Sequence, residues 1–252
     1  MLEVCCLKNY KMVLQYDGTR YQGWQKQEST GNTIQGKLET LLTKLAGCPI
    51  EVHGSGRTDA GVHAFGQVAN FKMDTDKSAE ELLEYINQYL PEDIAVLELT
   101  EVQERFHSRL NAKKKIYQYR VKNSSCPNVF TRRYVYPVPE KLDIEAMKAA
   151  AKKLCGEHDF QAFTSAKKGK KSTVRHVDNI KIERYEDEIR FTFSGTGFLY
   201  HMVRIMMGTL LCVGKGEMEV EQIPIILESK DRQQAGPLVP AKGLALMEVS
   251  YE

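Results

Sequence analysis

The order of its strand-like and helical runs constrains this chain more than any other feature. Tyr10 to Tyr16 alternates apolar and polar residues, which predicts a strand. Ile34, Leu38, Leu41, Leu42 and Leu45 then recur at helical spacing. Asn32 or Thr33 supplies the N-cap, and Gly47 with Pro49 supplies the stop. Two short strand-like runs follow, Ile50 to His53 and Gln67 to Met73. Ser78-Ala79-Glu80-Glu81 reads as a capping box, opening a helix with Leu82, Leu83, Ile86 and Leu90 that Pro91 ends. Ile94 to Val102 is a further strand. The order is β-α-β-β-α-β, the ferredoxin-like unit.

The second half repeats the order. Ile116 to Val121 reads as a strand, and 123–139 as irregular with a short strand near Tyr134–Val138. Ile144 to Leu154 is helical and Gly156 stops it. Val174 to Tyr185 and Ile189 to Phe193 form a hairpin around Glu186-Asp187. Gly197 to Val213 is an apolar helix, Ile223 to Leu227 a short extra helix, and Leu244 to Tyr251 a closing strand. The expected fold is α+β, with two ferredoxin-like halves, 1–110 and 111–252, side by side around a central cleft.

The strands Ile50–His53 and Gln67–Met73 frame Gly54-Ser55-Gly56-Arg57-Thr58-Asp59-Ala60-Gly61-Val62-His63. Three glycines and a serine in this stretch allow sharp turns and close approach to a ligand. Arg57 and Asp59 are its charged groups. An Asp before a small residue and Gly is commonly a turn former, and a nearby Arg a solvated charge. The alternative is a chemical loop held by rigid strands. Arg204 poses a similar choice. It sits in an apolar stretch with Met202, Val203, Ile205 and Met206, where a buried cation needs a partner. It either snorkels to the surface or pairs with a carboxylate such as Asp59.

The net charge is +2, but the charges segregate. From Arg105 to Arg133 there are nine Lys or Arg and no Asp or Glu, and Lys167 to Arg175 holds five more. The stretch 74–104 is acidic. Such segregation suggests a face for a polyanion, against the plainer reading of solvated basic loops. No apolar run approaches the roughly 18 residues that span a bilayer, and Met1 to Lys8 lacks the form of a signal peptide. A cytoplasmic, non-membrane protein is expected. The six cysteines, Cys5, Cys6, Cys48, Cys126, Cys155 and Cys212, have no metal-ligand spacing with one another or with histidine, so no metal is expected.

Four segments give the chain a specific likeness. They are Tyr16-Asp17-Gly18-Thr19-Arg20-Tyr21-Gln22-Gly23-Trp24-Gln25, Gly56-Arg57-Thr58-Asp59-Ala60-Gly61-Val62-His63-Ala64, Lys115-Ile116-Tyr117-Gln118-Tyr119 and Phe198-Leu199-Tyr200-His201-Met202-Val203-Arg204. Arg105-Phe106-His107-Ser108-Arg109 and Gly243-Leu244 also fit. In that order they resemble the tRNA pseudouridine synthases of the TruA type, from about Tyr10 to Tyr251. The basic loop Lys167–Lys171 aligns with no family motif.

The resemblance implies isomerisation of uridine to pseudouridine at positions 38 to 40 of the tRNA anticodon stem-loop, without cofactor or metal. It implies that Asp59 is the essential carboxylate, acting by attack on C1′, addition to C6 or deprotonation of C2′. It makes Arg204 the cation that favours and orients the ionised Asp59. Arg57 would help extrude the uridine or fill the space it leaves. Tyr117 would stack on the flipped uracil, and Leu244 would pack against it. The plainer readings are a core tyrosine and a sheet-packing leucine. Arg20, Arg105, Arg109, Lys113, Lys114 and Lys115 are the candidate phosphate contacts. A homodimer, with one tRNA touching both subunits, is also implied. Two rivals are weighed against this. An RNA-binding module would not need Asp59, and the second half lacks an RNP1 aromatic pattern. An aspartate-dependent phosphotransferase would need Mg²⁺ ligands or a phosphate cradle near the nucleophile.

Overall fold

A computed structural model describes residues 7–126, 128–167, 169 and 172–252. Cys5, Cys6 and three lysines of the basic loop, Lys168, Lys170 and Lys171, lie outside the described residues. The chain divides into two compact units, Met1–Ala112 with Leu246–Glu252, and Lys113–Ala245.

The first unit follows the expected order. It runs β1 (Lys8–Tyr16), α1 (Ile34–Ala46), β2 (Val52–Gly54), β3 (His63–Met73), α2 (Ala79–Tyr89) and β4 (Ile94–Val102). β1 lies between β3 and β4, antiparallel to both, and β2 pairs antiparallel with β3. This is the 4-1-3-2 arrangement of a ferredoxin-like unit. The helix ends obey the capping signals. The Thr33 side chain accepts from the Gly36 N–H, and Gly47 takes the left-handed conformation at φ 70° that a side chain would strain. Ser78 and Glu81 form the reciprocal capping box. Tyr10, Met12, Leu14, Phe71, Ile34, Leu38, Leu82 and Ile86 are buried between sheet and helices. Removing any of the large apolar ones would cost about 2–5 kcal/mol.

β3 begins at His63, four residues earlier than the alternation suggests, so the loop after β2 is only 55–62. The flanking Ala64, Phe65 and Gly66 carry no alternating pattern. Their place in the strand comes from pairing, including Ala64 opposite Tyr16.

The second unit runs β5 (Lys114–Lys122), β6 (Tyr136–Pro137), α3 (Ile144–Leu154), β7 (Gly156–Asp159), β8 (Val174–Tyr185), β9 (Glu188–Gly195), α4 (Met202–Gly214) and α5 (Gln222–Ser229). β10 (Leu244–Ser250) starts here and passes into the first unit at Leu246. The sheet order is β5-β9-β8-β7, with β6 parallel to β5. β5, α3, β8, β9 and α4 supply five of the six elements of the expected repeat, the sixth, β10, belongs from Leu246 onward to the first unit, and β7 is an addition. The helix already ends at Leu154 with the extended Cys155 as its C-cap, and Gly156, expected as the stop, instead opens β7 at φ 102°. α4 starts at Met202, not Gly197. Residues 197–201 are apolar enough to extend the helix, but His201 sits at φ 65°, which breaks it.

α4 is the buried core helix of this unit. Gly208 is there because a Cβ would fall 1.9 Å from the Pro237 carbonyl oxygen. Gly236 likewise lets the 235–239 segment lie on the helix backbone, and its N–H donates to Thr209 Oγ1 at 2.9 Å. No helix among the described residues is long and apolar enough to cross a membrane.

Candidate active site

In the first unit, the 55–62 loop is braced on both flanks by the segment 16–25. The Trp24 N–H donates to the Thr58 carbonyl at 3.0 Å, and the Gly61 N–H donates to the Tyr21 carbonyl at 3.3 Å. The Gly18 N–H donates to His63 Nδ1 at 3.1 Å. The approach is too close for side chains. A Cβ on Gly23 would lie 2.7 Å from the Thr58 carbonyl oxygen, and Gly23 is at φ 91°. A Cβ on Gly54 would lie 2.4 Å from the Trp24 indole, which is 2% exposed. Gly18, Gly23 and Gly54 are therefore explained by the close approach of the two segments, Gly18 because a Cβ would lie 2.0 Å from the Val62 carbonyl oxygen.

Side chains brace the loop from beneath. The Tyr16 hydroxyl and Thr58 Oγ1 lie 2.8 Å apart, Ser55 Oγ donates to Gln67 Oε1 at 2.7 Å, and Gln67 Nε2 donates to the Gly56 carbonyl at 3.1 Å. The Ser55 N–H donates to the Val68 carbonyl at 2.7 Å. Burial pushes the Tyr16 phenol up to about 12, against the opposing pull of its Thr58 and Gln67 hydrogen bonds, so it stays a neutral bonding partner. Burial, helped by the Asp93 carboxylate that its hydroxyl contacts, pushes the Tyr21 phenol up as well.

These bonds fix the loop backbone around Asp59, which is half-buried between the buried Thr58 and Val62. The Val62 N–H closes the turn on the Asp59 carbonyl at 3.1 Å. Arg57 is exposed, and its Nε donates to Gln25 Oε1 at 3.0 Å. A half-buried carboxylate on an immobilised backbone suits covalent or acid–base chemistry, which needs fixed direction.

Arg105 and Arg109 are exposed on a segment that is itself pinned. Asn9 Nδ2 donates to the carbonyls of Gln103 and Phe106 at 3.0 and 2.9 Å, and Tyr251 donates to the Ser108 carbonyl at 2.7 Å. Arg20 is exposed at the end of a short 3₁₀ turn, 18–20.

The second unit holds Tyr117, Arg204 and Leu244. Tyr117 lies on β5, only 8% exposed, with its ring edge-on to Phe198 at 5.4 Å. Arg204 is half-buried in the first turn of α4, and its Nε donates to the Val239 carbonyl at 2.8 Å. The segment that Gly208 and Gly236 dock on the helix thus also orients the guanidinium. Further along it, the Tyr119 hydroxyl donates to the Pro240 carbonyl at 2.7 Å. Gly243 admits the Tyr119 ring, where a Cβ would lie 2.7 Å away, and this sets the buried Leu244. Lys113 is exposed, Lys114 pairs with Asp178 at 3.1 Å, and Lys115 is half-buried on β5 opposite Gly195.

The first unit therefore carries Asp59 and Arg57 on one braced loop, and the second carries Tyr117, Arg204 and Leu244 on β5, α4 and the start of β10. The sequence reading omitted the bracing residues Tyr16, Thr58, Gln67 and Gln25, and the Val239 carbonyl. Their signal is weak: the paired glycines Gly18 and Gly23, and Gly208 and Gly236, mark the close approaches.

A profile described as tRNA pseudouridine synthase matches residues 12–111 and 150–252. The chain belongs to the tRNA pseudouridine synthase family, isomerases acting on tRNA. It is 50% identical over 245 residues to a tRNA pseudouridine synthase A of Bacillus sp. (strain KSM-64), covering 97% of this chain and 100% of the relative. It is 46% identical to tRNA pseudouridine synthase A 2 of Bacillus cereus, with the same coverage. It is 42% identical to tRNA pseudouridine synthase A of Acetivibrio thermocellus, again over 97% and 100%.

Proposed function

We propose that the chain isomerises uridine to pseudouridine at positions 38 to 40 of the tRNA anticodon stem-loop, with Asp59 as the catalytic carboxylate. The observation that carries this reading is the immobilised turn around Asp59, held by Trp24, Tyr21, Tyr16 and Gln67 in a chain of this family. Such bracing is what a side chain acting at a single atom needs.

The reaction exchanges one glycosidic bond for another. The N1–C1′ bond of uridine breaks, the uracil turns, and C5 bonds to C1′. The C5 hydrogen leaves to solvent and N1 takes up a proton, so atoms and electrons balance with no redox partner. In this reading ionised Asp59 initiates bond breaking, and Arg204 is the cation that favours and aligns it. Tyr117 stacks on the extruded uracil, a contact contributing about 1–3 kcal/mol, and Leu244 borders it. Arg57 occupies the space the base leaves. Flipping costs a few kcal/mol, which these contacts offset. Arg20, Arg105, Arg109 and Lys113–Lys115 hold phosphates, setting orientation and a steep salt dependence. The working unit is a homodimer in the cytoplasm, with residues 1–110 carrying the Asp loop and 111–252 the stacking tyrosine.

The test uses unmodified tRNA transcripts with uridine retained at 38, 39 or 40, or replaced there by cytidine, incubated without added metal. Product is expected only at the retained positions. Product elsewhere in the arm, with none at 38–40, would overturn the positional assignment.

A further inference from the structure

The segment 128–134 belongs to the acid-free basic run and has no role in the site above. It is an ordered turn. The side chain of Asn128 accepts from the N–H groups of Phe130 and Thr131 at 3.0 and 3.3 Å, and the Tyr134 N–H donates to the Thr131 carbonyl at 2.8 Å. The Arg132 guanidinium donates to the Val129 carbonyl. The following residues anchor the turn: Val135 and Val138 are buried, and β6 pairs with β5.

On this anchored turn Phe130 is 88% exposed and Val129 is 57% exposed. Arg132 and Arg133 are exposed beside them. A phenylalanine held in water by a rigid turn is a prepared contact, because little further entropy is lost when it is covered. Two occupants fit an apolar tip: a second copy of this chain, or a nucleobase. The apolar area is small. One aromatic side chain buries about 150–250 Å², whereas a stable dimer needs about 800 Å² per partner. The charge also decides. An aromatic ring among arginines, within a stretch of nine Lys or Arg and no acid, matches single-stranded nucleic acid, where bases stack and cations take the phosphates.

We propose that Phe130 is a base-stacking contact for an unpaired nucleotide of the tRNA, outside the uridine pocket, with Arg132 on an adjacent phosphate. Arg132 spends one of its five N–H donors on the Val129 carbonyl, which aims the guanidinium and leaves donors for a phosphate. The inference rests on tRNA being the ligand, and not on the assignment of Asp59.

The test measures filter retention of unmodified tRNA, steady-state kinetics and light scattering for the wild type, Phe130→Ala, Phe130→Leu and Phe130→Trp. Phe130→Ala is expected to weaken tRNA binding roughly five- to a hundredfold. It should raise KM and leave kcat and the scattering mass unchanged. Phe130→Trp restores binding and Phe130→Leu does not, because leucine is apolar without a stacking face. Arg132→Gln is expected to lower the salt slope by about one ion. Unchanged binding in Phe130→Ala, equal rescue by leucine, or a changed mass would overturn the proposal, the last pointing to a seam between copies. Asp59→Ala binds and does not turn over, whereas Phe130→Ala turns over what it binds, so the two assignments fail separately.

Discussion

The 55–62 loop and the 128–134 turn are both short and ordered, yet they are held differently and carry different residues: Ser, Gly, Thr and Asp in the first, and Val129, Phe130 and two arginines in the second. The 55–62 loop is bonded outward. Besides the Val62–Asp59 bond that closes it, its carbonyls and N–H groups meet Trp24 and Tyr21 of the 16–25 segment and Gln67 and Val68 on β3. Within the 128–134 turn, Asn128, Val129 and Thr131 accept bonds from the turn's own N–H groups and from Arg132. Outward bonding couples a loop's geometry to the whole unit, which suits a group that must sit correctly to a fraction of an ångström. Inward bonding lets a tip stay ordered while its side chains face solvent, which suits contact with a large partner. Substitutions in the first should therefore disturb stability and chemistry together, and those in the second binding alone.

The largest effect separating the two is expected at Gly23. Gly23→Ala puts a methyl group against the Thr58 carbonyl in a left-handed backbone, and no flexible side chain can move aside. Urea unfolding should show a loss of about 2–4 kcal/mol, together with at least a tenfold fall in kcat. A stable protein with normal turnover would mean that the brace is not what positions the loop.

A smaller effect is expected at Tyr16. Tyr16→Phe strands the Thr58 hydroxyl in a buried site, costing about 1–2 kcal/mol. It should lower kcat more than it raises KM. An unchanged kcat would separate stability from chemistry at this loop.

The third effect depends on pH. Burial, and then the charge of the nearby His53, holds the His107 imidazole below its ordinary value of 6.5, and its Nδ1 accepts from the Arg109 N–H. Below the ordinary value the unfolded chain binds a proton that the fold resists, so this contribution to stability falls as pH drops from 6.5 toward the lowered value. Urea midpoints between pH 7.5 and 5.5 should show that decline, and His107→Gln should flatten it. An unaltered slope in the variant would assign the decline to other groups.

The smallest effect is expected at Val129. Val129→Ser should change stability by no more than about 0.5 kcal/mol, as at other exposed sites. A larger loss would show that the turn leans on the rest of the unit after all.

Local signals were legible in the sequence. Ser78 caps its helix as expected, Thr33 is the one of the two candidates that caps the first, and β4 and α3 keep the bounds that periodicity gave them. These depend on residues within a turn or two of one another. The early start of β3, the added β7 and the late start of α4 were not legible, because pairing partners and one left-handed histidine decide them. At the candidate site, the motif marked Asp59 and Arg57, but its scaffold is a contact between loops about 40 residues apart, as in Tyr16 with Thr58. Spacing within one segment carries no trace of that. Only Gly18, Gly23 and Gly54 do, since each is required by a partner remote in sequence.

The most direct test follows the hydrogen that leaves C5. Unmodified tRNA carrying uridine tritiated at C5 is incubated with the wild type and with Asp59→Ala, after unfolding and filter-binding measurements have shown the variant to be folded and to bind tRNA. The account predicts tritium release by the wild type and none above background by Asp59→Ala. Release by the folded, tRNA-binding variant at a rate near that of the wild type would contradict it, and would move the chemistry away from this loop.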